Sequence, residues 1–143
     1  MLRPALMLSL LLAPCFSWAG GWYCFNEAGA HYGIAPIVLK VIAQHESRMN
    51  PDLIHRNSNG SVDVGLEGVN SINFAELRRV GIDPANLTDP CTNIVARAYL
   101  MSKKIAKYGY NWDAIGASHS ETPEKMAIYR DLIRSKVERV AFR

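Results

Sequence analysis

Cysteine is scarce in this chain, three residues among 143. That scarcity excludes a disulfide-dense scaffold, and with no histidine clustered around the thiols it also excludes a zinc site. No block of five or six like charges occurs, so there is no charged interaction tail. The formal charge is only +3 and the isoelectric point about 8.8. Basic residues are not clustered with aromatics either, so nothing supports nucleic-acid binding. Proline (7) and glycine (10) are ordinary in number, and there are no repeats, linkers or low-complexity segments. No apolar run approaches the ~20 residues a membrane-spanning helix needs. What remains is 49% hydrophobic and 20% charged residues, the composition of one small globular domain.

The first twenty residues read differently. Arg3 gives a positive start, Ala5 to Ala13 is a short apolar run, and Ser17-Trp18-Ala19 places small residues around a cleavage site. The expected organisation is a signal peptide over 1–19 and a mature domain over 20–143, exported to the periplasm. A retained membrane anchor is the alternative. Cys15 follows Pro14, a poor fit to a lipidation box, and it leaves with the leader. Cys24 and Cys91 remain, 67 positions apart. In an oxidising compartment an isolated pair most simply forms one disulfide, worth about 4 kcal/mol by loop entropy.

The mature chain reads as an α+β domain, predominantly helical, with a small β-hairpin. Pro36 suits a first helical turn, and Ile34, Val38, Val41, Ile42 and His45 follow at helical spacing up to about Ser47. Asn50-Pro51 stops that helix, because a residue before proline avoids the α region. Asn59-Gly60 signals a hairpin, and Ser61 to Val64 alternates like a strand. Asn73 and Glu76 are spaced as cap and third residue of a helix from Phe74 to Val80, closed by Gly81. Asp83-Pro84 and Asp89-Pro90 punctuate a turn. A long amphipathic helix runs from Thr92 through Ile94, Ala98, Met101 and Ile105 to Gly109. Asn111 caps a short helix through Ile115, and Met126, Tyr129, Ile133, Val137 and Val140 stripe the last.

Two carboxylates stand out. Glu46 lies at the end of an apolar helix, beside His45 and before a polar loop. Such a group is either a solvated helix-terminal residue or a half-buried general acid. Asp63 follows seventeen positions later in the hairpin. It is either a polar turn residue or the second carboxylate of a lysozyme-like pair, an arrangement for which lysozyme is the standard example.

The run His45-Glu46-Ser47-Arg48-Met49-Asn50-Pro51 resembles the signature of family-1 lytic transglycosylases. Agreement continues through Arg56 to Leu66, Asn70-Ser71, Asp89-Pro90-Cys91 and Trp112 to Ala117, across essentially the whole mature chain. The chain is similar to the small exported members that accompany type III secretion, conjugation and pilus systems. Cys24 and Cys91 also match that subgroup's disulfide. The resemblance implies a goose-lysozyme-like fold, a monomer around a glycan groove, with no cofactor and no metal. It implies cleavage of the β-1,4 bond between N-acetylmuramic acid and N-acetylglucosamine of peptidoglycan strands. Glu46 would protonate the leaving oxygen, then act as base while the muramoyl C6 hydroxyl closes a 1,6-anhydro ring. Ser47 would orient substrate or catalytic groups, Asn70 would bind glycan, and Tyr129 matches the family tyrosine of the last helix.

The departures are concentrated. Where the family usually has Met-Gln after Gly65-Leu66, this chain has Glu67-Gly68. Where it usually has Tyr followed by Asn or His after Gly116-Ala117, this chain has Ser118-His119. Three readings follow: a transglycosylase with an altered groove, locally opening the wall for a secretion or pilus apparatus; a hydrolytic lysozyme using Glu46 with Asp63; or a catalytically weakened peptidoglycan-binding scaffold. If the replaced residues limit the site, changing Glu67, Gly68 and Ser118 to Met, Gln and Tyr should raise activity, unless Gly68 needs a positive φ.

Overall fold

A computed structural model describes residues 24–142 of the chain; the signal peptide expected over 1–19 lies outside the described residues. Six α-helices and a three-stranded antiparallel sheet form a predominantly helical α+β domain, as the apolar spacing predicts. The helices are α1 (Cys24–Tyr32), α2 (Pro36–Glu46), α3 (Phe74–Arg79), α4 (Pro90–Tyr108), α5 (Trp112–Ala117) and α6 (Pro123–Ala141). The strands are β1 (Ile54–Arg56), β2 (Val62–Val64) and β3 (Val69–Asn70).

Helix α4 is the axis of the molecule, because its two faces serve two cores. One face contributes Ile94, Ala98 and Met101 to a cluster with Phe25, Leu39, Ile42, Ile115 and Ile133 from the other helices. Ala96, on another face, packs with Val69, Leu77 and Leu87 beneath the sheet. Burying a large aliphatic side chain is worth roughly 1.5–3 kcal/mol, so the first cluster carries most of the stability. Cys24 and Cys91 join α1 to α4 as the expected disulfide, with Cα atoms 5.4 Å apart.

Several boundaries depart from the spacing. Helix α1 is not signalled by any cap or proline, yet Cys24, Phe25, Ala28 and Gly29 are buried on one face at helical spacing. Gly29 belongs there because a Cβ would press on the Ile34 carbonyl and Pro36. Asp89 accepts from the Thr92 amide, so α4 begins at Pro90, two residues ahead of expectation. Asn73 does not cap α3; Asn70 accepts from the Ile72 amide and opens a 3-10 turn, Ser71–Asn73, that leads into the helix. Asn111 caps α5 as expected, through the Ala114 amide, and α4 ends at Gly109. The hairpin gains a third strand, pairing Asp63 with Asn70 and Val64 with Val69. Val140, expected on the buried stripe of α6, is 53% exposed.

Candidate active site

Glu46 is the last residue of α2 and is half-buried. The chain then turns through Arg48 (φ 56°) and Met49 (φ 68°), two non-glycine residues in the left-handed region. A conformation that costs roughly 1–2 kcal/mol per residue needs anchoring, and Ser47 supplies it. Ser47 is 7% exposed; its hydroxyl donates to the Leu66 carbonyl (2.7 Å), with the Ala43 carbonyl 3.2 Å away, and accepts from the Asn50 amide. Ser47 thus ties the end of α2 to the Gly65–Gly68 loop and fixes where Glu46 emerges.

Helix α6 brings Tyr129 to Glu46. The phenol donates to Glu46 Oε1 at 2.6 Å and accepts from Arg97 Nη2 at 3.2 Å. The same Arg97 nitrogen donates to Ser118 Oγ at 3.3 Å, and Ser118 in turn donates to the Ile115 carbonyl. His119 stacks flat on the Tyr129 ring, centroids 4.4 Å apart, while His45 meets the ring edge-on at 5.8 Å. Lys136 Nζ lies 3.1 Å from His45 Nδ1. An ammonium can only donate, so this contact holds the imidazole nitrogen as an acceptor.

Asp63 sits on β2. Its Oδ2 accepts from Asn57 Nδ2 (2.9 Å) and its Oδ1 from Asn70 Nδ2 (2.7 Å). Both amides also donate to Ser61 Oγ. Asn70, expected to bind glycan, is therefore engaged in holding Asp63 and the 3-10 turn.

The altered loop has two parts. Gly68 takes φ +59°, and a Cβ there would sit 3.3 Å from Glu46 Oε2 and Cβ. Glu67 points the other way: it is wholly buried, and neither carboxyl oxygen has a hydrogen-bond partner. Its backbone N–H donates to Asn93 Oδ1 at 2.7 Å, and the Asn93 amide donates to the Val64 and Leu87 carbonyls. Glu67, Gly68, Ser118, His119 and Tyr129 thus all gather around Glu46 or the groups that hold it, but Glu67 lines an interior rather than an open groove.

Arg97 is the participant that sequence reasoning missed. It is 6% exposed and its Nε has no partner. A signal existed: position 97 lies three residues after Ile94 and four before Met101, on the apolar face of α4. An arginine on such a stripe is an anomaly that demands a counter-charge.

The electrostatics follow from burial. Burial pushes the Glu67 carboxyl well above its ordinary range; Arg97 draws it partly back, and Glu46 pushes it further up. Burial likewise raises the Tyr129 phenol well above its usual value, opposed by Arg97 and reinforced by Glu46. Arg97 is penalised by burial, yet Tyr129, Glu46, Glu67 and Asp63 outweigh that and hold it firmly charged. Burial lowers His119, against the pull of Glu46 and Asp63 and with the help of Arg97. Burial also lowers His45. Glu46 therefore has neutral aromatic and imidazole neighbours, one oxygen held by a phenol, and a second oxygen on the side left open by Gly68. Such a carboxyl suits proton transfer in either direction. Among the described residues no cluster of His, Cys, Asp and Glu is arranged to hold a metal ion.

Residues 23–121 match the family described as "Transglycosylase SLT domain". The chain is 34% identical to "Invasion protein IagB" of Salmonella typhimurium (strain SL1344) over 128 residues, 89% of this chain and 78% of that protein. It is 39% identical to "X polypeptide" of Escherichia coli over 116 residues, 78% of this chain and 69% of that protein. It is also 34% identical to "Protein IpgF" of Shigella flexneri over 103 residues, 71% of this chain and 68% of that protein.

Proposed function

The chain belongs to the transglycosylase SLT-domain family, and from that premise we propose that it is an active lytic transglycosylase of peptidoglycan in which Glu46 is both acid and base. The observation that carries this reading is the 2.6 Å hydrogen bond from Tyr129 to Glu46 Oε1. With Oε1 fixed by a donor, the proton to be delivered belongs on Oε2, the oxygen facing Gly68. In the first step Oε2 protonates the glycosidic oxygen as the bond to the muramoyl C1 breaks. In the second, the resulting carboxylate takes the proton of the muramoyl C6 hydroxyl, whose oxygen closes the 1,6-anhydro ring. The proton returns to Glu46, so no water enters the balance. Asp63, held by two amides on the facing strand, adds negative charge beside a developing oxocarbenium ion.

The biological setting we propose is the periplasm, reached through the leader over 1–19, where the enzyme opens the wall locally for a secretion, conjugation or pilus apparatus. Resemblance to the small exported subgroup supports this. Digestion of purified sacculi with mass analysis of the soluble products tests the chemistry. Anhydromuramoyl ends are expected. Reducing ends would instead support hydrolysis by Glu46 with Asp63. Sacculus binding without released products would support the weakened scaffold.

A further inference from the structure

Arg97 is 6% exposed, on a face of α4 that packs into the interior. A buried arginine is ordinarily matched to a carboxylate. This one directs its Nη2 at two hydroxyls instead, the Tyr129 phenol at 3.2 Å and Ser118 Oγ at 3.3 Å. A guanidinium can only donate, and Nη2 carries two hydrogens, one for each hydroxyl. Both hydroxyls therefore accept from it, and each has a single hydrogen left to give. Ser118 gives its own to the Ile115 carbonyl at 2.7 Å, which ties the guanidinium to the end of α5. Tyr129, 4% exposed, gives its own to Glu46 Oε1 at 2.6 Å. The donors thus run one way, from Arg97 through the phenol to one oxygen of Glu46. A bond accepted from a cation also polarises the phenol and strengthens it as a donor.

We propose that Arg97, anchored by Ser118, is a positioning residue for the acid: it fixes the Tyr129 phenol as the donor to Glu46 Oε1 and so leaves the catalytic proton on Oε2. The inference rests on the reading of Glu46 as the acid and deepens it. Without Arg97 the phenol oxygen is free to accept. The Glu46 proton can then reside on Oε1, bonded to the phenol and turned away from the glycosidic oxygen. That population binds glycan normally but has no proton on the oxygen beside Gly68. The loss should fall on kcat rather than on KM. The serine at position 118 then reads as part of a rebuilt support for the acid, since its hydroxyl meets the guanidinium while staying bonded to its own helix.

The experiment measures kcat and KM for release of soluble muropeptides from purified sacculi. The proteins are the parent, Arg97→Met, Arg97→Lys, Tyr129→Phe and the double variant Arg97→Met with Tyr129→Phe, each checked by its melting temperature. Methionine fills much of the same space without a donor, and it should lower kcat about tenfold at unchanged KM. Lysine also donates without accepting, and it should keep kcat within about threefold of the parent. Tyr129→Phe removes the group through which Arg97 acts, so the double variant should be no slower than Tyr129→Phe alone. An arginine that only filled the core would cost the same factor in either background. If Arg97→Met does not fold, Ser118→Ala takes its place in the cycle. It removes the second partner of Nη2, and a loss of about threefold in the parent should vanish beside Tyr129→Phe.

Equal fractional losses with and without the Tyr129 hydroxyl would overturn the proposal. So would a folded Arg97→Met with the parent's kcat, a loss carried by KM, or an Arg97→Lys as slow as Arg97→Met. Glu46→Gln, run alongside, separates the two levels. Its retained activity would refute the acid assignment and the proposal with it, whereas its inactivity beside additive losses would refute the role of Arg97 alone.

Discussion

The two walls around Glu46 treat carboxylates in opposite ways. On the sheet wall, both oxygens of Asp63 accept amide hydrogens, at 2.9 and 2.7 Å, from asparagines that also brace Ser61. On the helical wall, Glu46 receives one phenol at 2.6 Å, while Glu67, buried on the loop between β2 and β3, receives nothing. Hydrogen bonds to a charged acceptor are among the strongest in proteins. A carboxylate that spends both oxygens on such bonds is a fixed acceptor, and one that keeps an oxygen free is available for proton transfer. The difference teaches that the sheet holds charge still while the helices leave it able to move.

The sharpest break of that comparison is Glu46→Gln. The amide keeps shape and accepts from Tyr129, but it has no proton to give to a leaving oxygen. General acid–base assistance is worth roughly 10²–10⁴-fold, and the loss should fall in that range with an unchanged melting temperature. Release of anhydromuropeptides at the parental rate would refute the role.

Tyr129→Phe is the next largest. It deletes the donor to Glu46 Oε1 and the acceptor of Arg97 together. Losing a charge-assisted bond costs about 1.5–3 kcal/mol, which corresponds to roughly ten- to a hundred-fold in rate if the bond is felt in the transition state. Sacculus cosedimentation should change little, because the ring and its stacking on His119 remain. A loss of binding equal to the loss of rate would place Tyr129 in substrate contact instead. On the other wall, Asp63→Asn should lower turnover more than binding, by several-fold. Its smaller effect is expected because the asparagine pair keeps the strand in place. Unchanged turnover would leave Asp63 as a structural acceptor of the β2–β3 register.

Much of this architecture is legible from spacing, because burial writes a period of 3.6 into α2, α4 and α6. Glu46 is legible for the same reason, as a carboxylate at the end of an apolar stripe. Three features are not. Helix α1 lacks caps and carries a glycine at its tightest contact, so local signals understate it. Asn73 looks like a cap, yet Asn70 performs that task three residues earlier because it is already paired with Asp63 across the sheet. The burial of Glu67 is a tertiary fact. Alone it reads as a solvated charge, and only the packing of the Gly65–Gly68 loop over α4, pinned by Asn93, buries it.

Gly68 gives the smallest effect and the finest test of the contrast between the walls, since it is where the loop comes nearest to the acid's free oxygen. Its φ of +59° lies in the left-handed region, which costs an L-residue roughly 1–2 kcal/mol. A Cβ there would stand 3.3 Å from Glu46 Oε2, close enough that the carboxyl or the loop must yield by a few tenths of an ångström. The expectation that a glutamine at this position restores a groove contact and raises activity therefore meets two opposing costs. One is backbone strain, and the other is crowding of the oxygen that carries the proton. Gly68→Gln should lower stability by about 1–2 kcal/mol and leave cleavage no faster than the parent, whether alone or with Glu67→Met and Ser118→Tyr. Gly68→Asn separates the costs, because asparagine tolerates the left-handed region while presenting the same Cβ. It should recover most of the melting temperature and none of the rate. Recovery of both would show that strain alone opposes a side chain at 68, and that Oε2 has room for one beside it.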